Sequence, residues 1–424
     1  MLYNVIALMV FIALSTASVT HALGAWLFIL VTHGILVLYL GEAAVHFPLY
    51  CGLAISAVVL LRRQWQGVPG KYLAVTLAFI VMLSTATLLG LNLEHSTATT
   101  INYLKGILLA LLLAGCLKSD TDIETITKYC LTGLIAGSIL SLYQHYTGQY
   151  AVDSLYVKRA AGLRGDPNDT AMLLVTGIPL SLYWQFKSKN PVIKTLLLGS
   201  TLLILFSIML TGSRGGLVTL VIIALGFYFR RPTVKNTTLM IFAIIFMVAT
   251  ATDTFVERIE TLVSGQEKHG GHSMSNRKEL QISGIKIFLN NPILGVGPGN
   301  FGQAFMDMQH LHYKSVRDDD FSHAFGVAHN MHLEVFVETG LIGGILFETI
   351  MLFALSGFRH YDKQHKNTDT PYNIGFILTL SLSGLLIAGL FLSQGRNSVL
   401  WFIVGMGFAI QKVLDRTTLN NTTT

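Results

Sequence analysis

Arg159, Arg164, Arg214, Arg258, Arg277 and His329 are the residues of this sequence best suited to chemistry. A guanidinium is permanently charged, and its planar fork of donors matches phosphate and carboxylate oxygens. A histidine can stand neutral at physiological pH and accept a proton. The arginines therefore suit anion binding, and His329 suits general-base work.

Their surroundings sharpen this. Arg214 stands in Thr211, Gly212, Ser213, Arg214, Gly215 and Gly216, a short turn between two apolar runs. An arginine there is costly unless it meets an anion, a carboxylate or water. The flanking glycines bare backbone N–H groups, and the start of the next helix adds a positive dipole end. The turn reads as a phosphate or pyrophosphate seat; the plainer reading is a snorkelling arginine at an interface. Arg159 and Arg164 lie in a basic stretch rich in glycine, proline and asparagine, where Asp166, Pro167 and Asn168 read as a turn and Asn168 or Asp169 as a helix cap. An ordinary interfacial loop would have the same composition. Arg277 opens a stretch with apolar residues at Leu280, Ile285, Phe288 and Leu289, the pattern of an amphipathic helix lying near a membrane surface. It stops at Asn290, Asn291 and Pro292, after which Gly295, Gly297 and Gly299 suggest a flexible turn. No strand precedes these glycines and no Walker lysine follows, which excludes a P-loop.

His329 precedes Asn330, a helix-capping residue type, and ten residues separate it from Gly340. The cap would hold His329 rigidly at a membrane boundary; a structural interfacial histidine is the plainer alternative. Seven of the fourteen histidines fall between His269 and His332. The spacing of His310, His312, His323, His329 and His332 fits no standard zinc signature, so no metal is expected.

The elements that must position these residues are membrane helices. The 424-residue chain is 52% hydrophobic and only 12% charged, with a mean hydropathy of +0.57. Apolar runs at 5–19, 22–40, 47–61, 72–91, 101–117, 129–143, 171–186, 195–210, 217–229, 238–252, 333–358, 373–392 and 399–410 predict an all-α polytopic integral membrane protein. Two of the first three runs suit one broken helix or a re-entrant hairpin, so about 12 transmembrane helices are expected. The three cysteines show neither metal spacing nor a disulfide pattern, and the net charge of +6 suits anionic lipid headgroups better than nucleic acid. Alternate connections are basic: Arg62 to Lys71, Lys118 to Lys128, Lys187 to Lys194, Arg230 to Lys235, Arg359 to Lys366, and Lys412 to Arg416. The positive-inside rule places these in the cytoplasm and both termini with them. The connections at 92–100, 145–170, 211–216, 253–333 and 393–398 then share the outer face, which gathers the arginines and His329 on one side of the membrane.

In this order, the segments resemble the O-antigen ligase family, within the larger group of lipid-linked glycan ligases and polymerases. The resemblance rests on Ser213, Arg214 and Gly215, on Arg277 leading to Asn291 through Phe301, and on His329 and Asn330 with Gly340. It covers roughly 159–344 together with the span count. It implies a bacterial inner-membrane protein with one large periplasmic loop containing short helices. The division expected is 1–252 as an N-terminal helix bundle, 253–332 as the periplasmic loop, and 333–424 as C-terminal helices with a short cytoplasmic tail. The activity implied is a metal-independent, inverting transfer of O-antigen glycan from undecaprenyl diphosphate to a lipid A–core sugar hydroxyl, without a cofactor. His329 falls on the family's essential histidine. Arg159 and Arg214 fall on its pyrophosphate-contacting arginines, and Arg277, in preference to Arg258, on a further functional arginine. Asn330, Gly340, Ser213 and Gly215 are expected in support. The partners implied are the lipid-linked glycan, the lipid A–core acceptor and membrane lipids. An O-antigen polymerase or a protein O-oligosaccharyltransferase would use the same donor. A transporter would require ionisable residues within its spans and paired broken helices; the spans are nearly free of acidic residues and no repeat is visible.

Overall fold

Each apolar run is centred on a helix in the computed structural model, which describes residues 2–41, 47–148, 152–153, 158–160, 162, 166–249, 256, 273–309, 326–366 and 372–422. In chain order these helices begin with α1 (Leu2–Ala17), α2 (Val19–Leu40), α3 (Phe47–Leu61), α4 (Gly70–Leu88), α5 (Leu93–Cys116) and α6 (Asp120–Thr147). They continue with α7 (Pro167–Lys187), α8 (Pro191–Thr211), α9 (Arg214–Arg230) and α10 (Val234–Ala249). The polar segment contributes α11 (Ser273–Asn290) and α12 (Phe301–Met308), and the chain closes with α13 (Met331–Gln364), α14 (Ile374–Ala388) and α15 (Ser398–Thr422). A two-residue antiparallel ladder pairs β1 (Val152–Asp153) with β2 (Lys158–Arg159). Among the described residues six helices, α4, α5, α6, α8, α13 and α15, are long and apolar enough to cross a membrane. The protein is a helical, multi-pass membrane protein.

Local sequence sets the helix ends. Asn92, Ser119, Asn190 and Asn373 accept hydrogen bonds from first-turn N–H groups, and Gly148 and Gly212 close α6 and α8 in the left-handed conformation. For α7 the cap is Asp166, not the expected Asn168 or Asp169. Its carboxylate accepts from Asn168 N at 2.7 Å and Asp169 N at 3.1 Å, with Pro167 taking the first helical position.

Lipid tails supply no hydrophobic drive between helices, so close backbone approach must hold the bundle. The last helix, α15, supplies it by lying at the centre, against α5 and α13. Gly405 abuts the backbone of Ala110, Gly407 abuts Ala354, and Trp401 covers Gly106. At one end of the bundle, Lys187 on α7 pairs with Glu124 on α6, and Arg230 on α9 grips Asp362 on α13 at 2.5 and 2.9 Å. The N-termini of α7 and α9 therefore open at the opposite end, where Met331 N, at the start of α13, also donates to Gly389 O just past the end of α14.

The run expected as a single span at 333–358 is broken. Within α13, Gly340 has φ 70° and ψ −174°, separating limbs 331–339 and 341–364. His332 Nδ1 lies 2.6 Å from Glu348 Oε1, although these residues would stand about 24 Å apart along a straight helix. The limbs therefore fold back at an elbow. The longer limb reaches about 36 Å at 1.5 Å per residue, enough to span alone.

The elbow frees backbone groups, and the glycine-rich run after α11 satisfies them. Val296 N and Gly297 N donate to the carbonyls of Val337 and Glu338, both at 3.0 Å, and Leu341 N donates to Pro292 O at 2.7 Å. On its other side, the run receives Leu91 N at Val296 O, 3.0 Å, from the α4–α5 turn. Asn300 Nδ2 adds a bond to Ser96 Oγ at 2.9 Å. The glycines expected as a flexible turn thus form a seam between two helix pairs. At Gly297 (φ 94°) an added Cβ would stand 2.7 Å from the Gly90 Cα, so close approach requires glycine there.

The amphipathic stretch opened by Arg277 is helical but has two apolar stripes. Leu280, Ile287 and Phe288 pack inward, Phe288 edge-on to Phe336, while Ile285 and Leu289, expected on the same face, point outward with Ile282.

Candidate active site

The arginine of β2 is buried against the α8–α9 turn. Arg159 Nε donates to Thr211 O at 2.7 Å, and Nη2 donates to Asn168 Oδ1 at 2.9 Å. The neighbouring Ala160 N reaches Leu210 O at 3.2 Å. Arg159 therefore spends part of its donor set on a buried C-terminal carbonyl of α8 and on the first turn of α7.

That same turn carries Arg214. Gly212 reverses the chain, Ser213 caps α9 by accepting Gly216 N at 3.3 Å, and Arg214 occupies the first helical position, half-buried. A Cβ on Gly216 would stand 2.9 Å from the Ala171 Cβ, so the starts of α7 and α9 lie side by side. Gly215 borders Phe391 in the α14–α15 connection. Two helix N-termini and two guanidinium-bearing residues thus converge on one corner. Positive dipole ends and permanent cations together favour an anion there.

His329 lies just before α13, with φ 49°, a left-handed conformation uncommon outside glycine. Asn330 caps α13, its Oδ1 accepting Leu333 N at 3.1 Å. Burial and the nearby Arg277 lower the His329 pKa to about 4, with Asp166 opposing them. Arg277 and Asp166 are thus both electrostatically coupled to the imidazole, and Asp166 is also the cap of the helix whose Asn168 meets Arg159. Arg159 of β2 and Ser213, Arg214 and Gly215 at the start of α9 therefore share one corner, while His329 and Asn330 at the start of α13 are coupled to Arg277 of α11 and to Asp166 at the start of α7. Gly340 lies about 14 Å along the shorter limb from Met331 and acts at the elbow instead. Arg164 and Arg258 lie outside the described residues, as do His310, His312 and His323. Among the described residues no three histidine, cysteine or acidic side chains gather as a metal site would require.

Three residues at this end escaped the sequence reading. Glu334 Oε2 accepts Ala328 N at 3.0 Å and the Ser393 hydroxyl, and Arg396 Nη1 donates to Thr99 Oγ1 at 3.4 Å. Arg396 also lies in the fields of Glu334, Glu338 and Asp169. Arg396, like Arg214, is an arginine in a short connection between apolar spans. The expectation of spans nearly free of acidic residues fails at the short limb 331–339, where Glu334 and Glu338 are buried.

A histidine whose folded pKa lies below its usual 6.5 is neutral in the folded protein until the pH falls through about 4. Between those values an unfolded chain binds the proton and the folded one does not, so stability falls as pH drops from 6.5 towards 4. Arg277→Gln removes the depressing charge. The acid limb of its rate profile is expected at higher pH than that of wild type; coincident limbs would separate Arg277 from His329.

The family model for O-antigen ligases matches residues 199–347. This segment belongs to the O-antigen ligase family. The ligase segment runs from within α8 past the elbow of α13 and carries Arg214, Arg277, the glycine seam, His329, Asn330, Glu334 and Gly340. Arg159 and Arg396 stand outside the ligase segment, yet both reach the same end of the bundle. The family comprises O-antigen ligase- and polymerase-type enzymes of lipid-linked glycan transfer. No curated protein matches the chain.

Proposed function

We propose that the protein transfers an O-antigen glycan from undecaprenyl diphosphate to a sugar hydroxyl of lipid A–core at the periplasmic face of the bacterial inner membrane. The reading rests on one observation above all: Arg159 and Arg214 converge at paired helix N-termini, with His329 coupled to the same corner through Asp166. The guanidiniums of Arg159 and Arg214 bind the diphosphate oxygens and stabilise the charge that grows as the anomeric C–O bond breaks. Undecaprenyl diphosphate leaves with that electron pair. The acceptor hydroxyl attacks the opposite face of the anomeric carbon, inverting it, and His329 takes the hydroxyl proton and returns it to solvent. Burial and the Arg277 charge together keep His329 neutral but weakly basic. A bound diphosphate offsets that charge and raises basicity when the proton must move.

Purified protein, given an undecaprenyl diphosphate-linked glycan and lipid A–core in chelator, is expected to place glycan on lipid A–core. Growth of the carrier-linked chain without such transfer would identify a polymerase. Glycan appearing on a protein acceptor instead would identify an oligosaccharyltransferase. Arg214→Lys keeps the charge and loses the planar fork, so a fall in kcat/KM of about 100-fold is expected, matching loss of a donor to a developing oxyanion. Full activity in that variant would return Arg214 to an interfacial role.

A further inference from the structure

His329 occupies a left-handed backbone conformation that is uncommon outside glycine, so its neighbours must hold it. On one side, the N–H of the fully buried Ala328 is bound by Glu334 Oε2 at 3.0 Å. On the other, Asn330 accepts Leu333 N at 3.1 Å through its side chain and Glu334 N at 2.9 Å through its carbonyl. Met331 N is tied to Gly389 O at 2.6 Å. Glu334 recurs in this set, and the same Oε2 also takes the Ser393 hydroxyl from the α14–α15 connection. Its side chain is buried, and Arg396 from that connection acts on it electrostatically as a countercharge. One carboxylate thus joins the residue preceding His329 to a connection more than sixty positions along the chain.

We propose that Glu334 is a positioning residue for His329, its buried carboxylate clamping the Ala328 N–H and the Ser393 hydroxyl so that the imidazole is held in one orientation at the corner. It works through the backbone of Ala328 and takes no proton from substrate. The catalytic consequence rests on the reading of His329 as the base; the clamp itself does not.

Two measurements on purified full-length protein test it. Carbethoxylation of His329 by diethyl pyrocarbonate, followed by mass spectrometry across pH without any glycan, reports the setting of the imidazole. Arg277 and Asp166 face His329 in every variant, so they are constant. In Glu334→Ala the corner opens to water, and the reactivity midpoint is expected to rise from about 4 towards 6.5. In transfer assays, Glu334→Ala is expected to lower kcat about 100-fold, as loss of positioning does, with the donor KM within about 2-fold. Glu334→Gln retains an acceptor for Ala328 N–H and is expected to recover about 10-fold of that loss. Ser393→Ala removes one clamped donor and is expected to lower kcat about 10-fold, which carries the test should Glu334→Ala fail to fold.

Wild-type midpoint and kcat in Glu334→Ala would overturn the proposal, as would wild-type kcat in Ser393→Ala. Glu334→Gln as inactive as Glu334→Ala would replace positioning with a role for the charge. A shifted midpoint alongside full transfer by His329→Ala would uphold the clamp and remove the base.

Discussion

Replacing His329 by alanine is expected to lower the rate of glycan transfer by about 10²- to 10⁴-fold, the range of a lost general base. The donor is already activated, because a diphosphate leaves readily, so the enzyme must chiefly hold that anion and remove the acceptor proton. Arg159 and Arg214 remain in place in the variant, and the donor KM is expected to stay within about 2-fold. Alanine also alters the backbone, since it lacks the side chain that occupies φ 49°. Asparagine tolerates that conformation and is not a base. His329→Asn therefore separates the two causes: equal losses in both variants assign the effect to proton transfer, while a nearly active asparagine variant assigns it to the backbone. Initial rates on lipid A–core, with thermal midpoints confirming folded protein, decide it. A rate within tenfold of wild type in both would remove His329 from the chemistry.

Gly340→Ala is expected to be the most destabilising of these substitutions, by about 3–5 kcal/mol, in the range reserved for backbone conflict and broken packing. A Cβ there would stand 2.0 Å from Ile293 O and 2.7 Å from Leu294 N. Both are backbone atoms of the seam, so no side-chain rotation relieves them. The conformation, φ 70° with ψ −174°, is itself essentially restricted to glycine. Relief would require the seam to withdraw, breaking the bonds from Val296 N, Gly297 N and Leu341 N together. Gly199→Ala is the control, since a Cβ there meets nothing within 4 Å and α8 gains a better helix former. Thermal unfolding in detergent should show a large fall for Gly340→Ala and none for Gly199→Ala. Equal midpoints would mean that the elbow does not need glycine.

Much of the site can be read without coordinates where the signal is local. Arg214 was conspicuous because a short turn between apolar runs has no ordinary use for a guanidinium. Asn330 declared a helix start by its type and by the apolar run that follows, and it does cap α13. Arg396 carried the same signal as Arg214 but lay outside the resembling segment. Glu334 and Glu338 were obscured by the apolar residues around them, and hydropathy over a window averages such groups away. The reading of Gly295, Gly297 and Gly299 as a loose turn failed for a related reason. Glycine marks permissive backbone in sequence, but only a neighbour shows whether the permission is used for motion or for contact.

Composition and the order of residue types were enough to determine that this chain is a bundle of membrane helices and which side chains are able to bind an anion or take a proton. These properties depend on transfer to lipid and on hydrogen bonds within one helical turn, so they are local. Which of those side chains meet was decided only by the tertiary structure. Arg159 reaches Thr211 across fifty-two positions, Ser393 reaches Glu334 across fifty-nine, and Asn300 reaches Ser96 across two hundred and four. Such contacts are selected by close packing and by the demand that every buried backbone group find a partner. No periodicity along the chain encodes that demand, and the elbow at Gly340 meets it by exchanging helical hydrogen bonds for a seam.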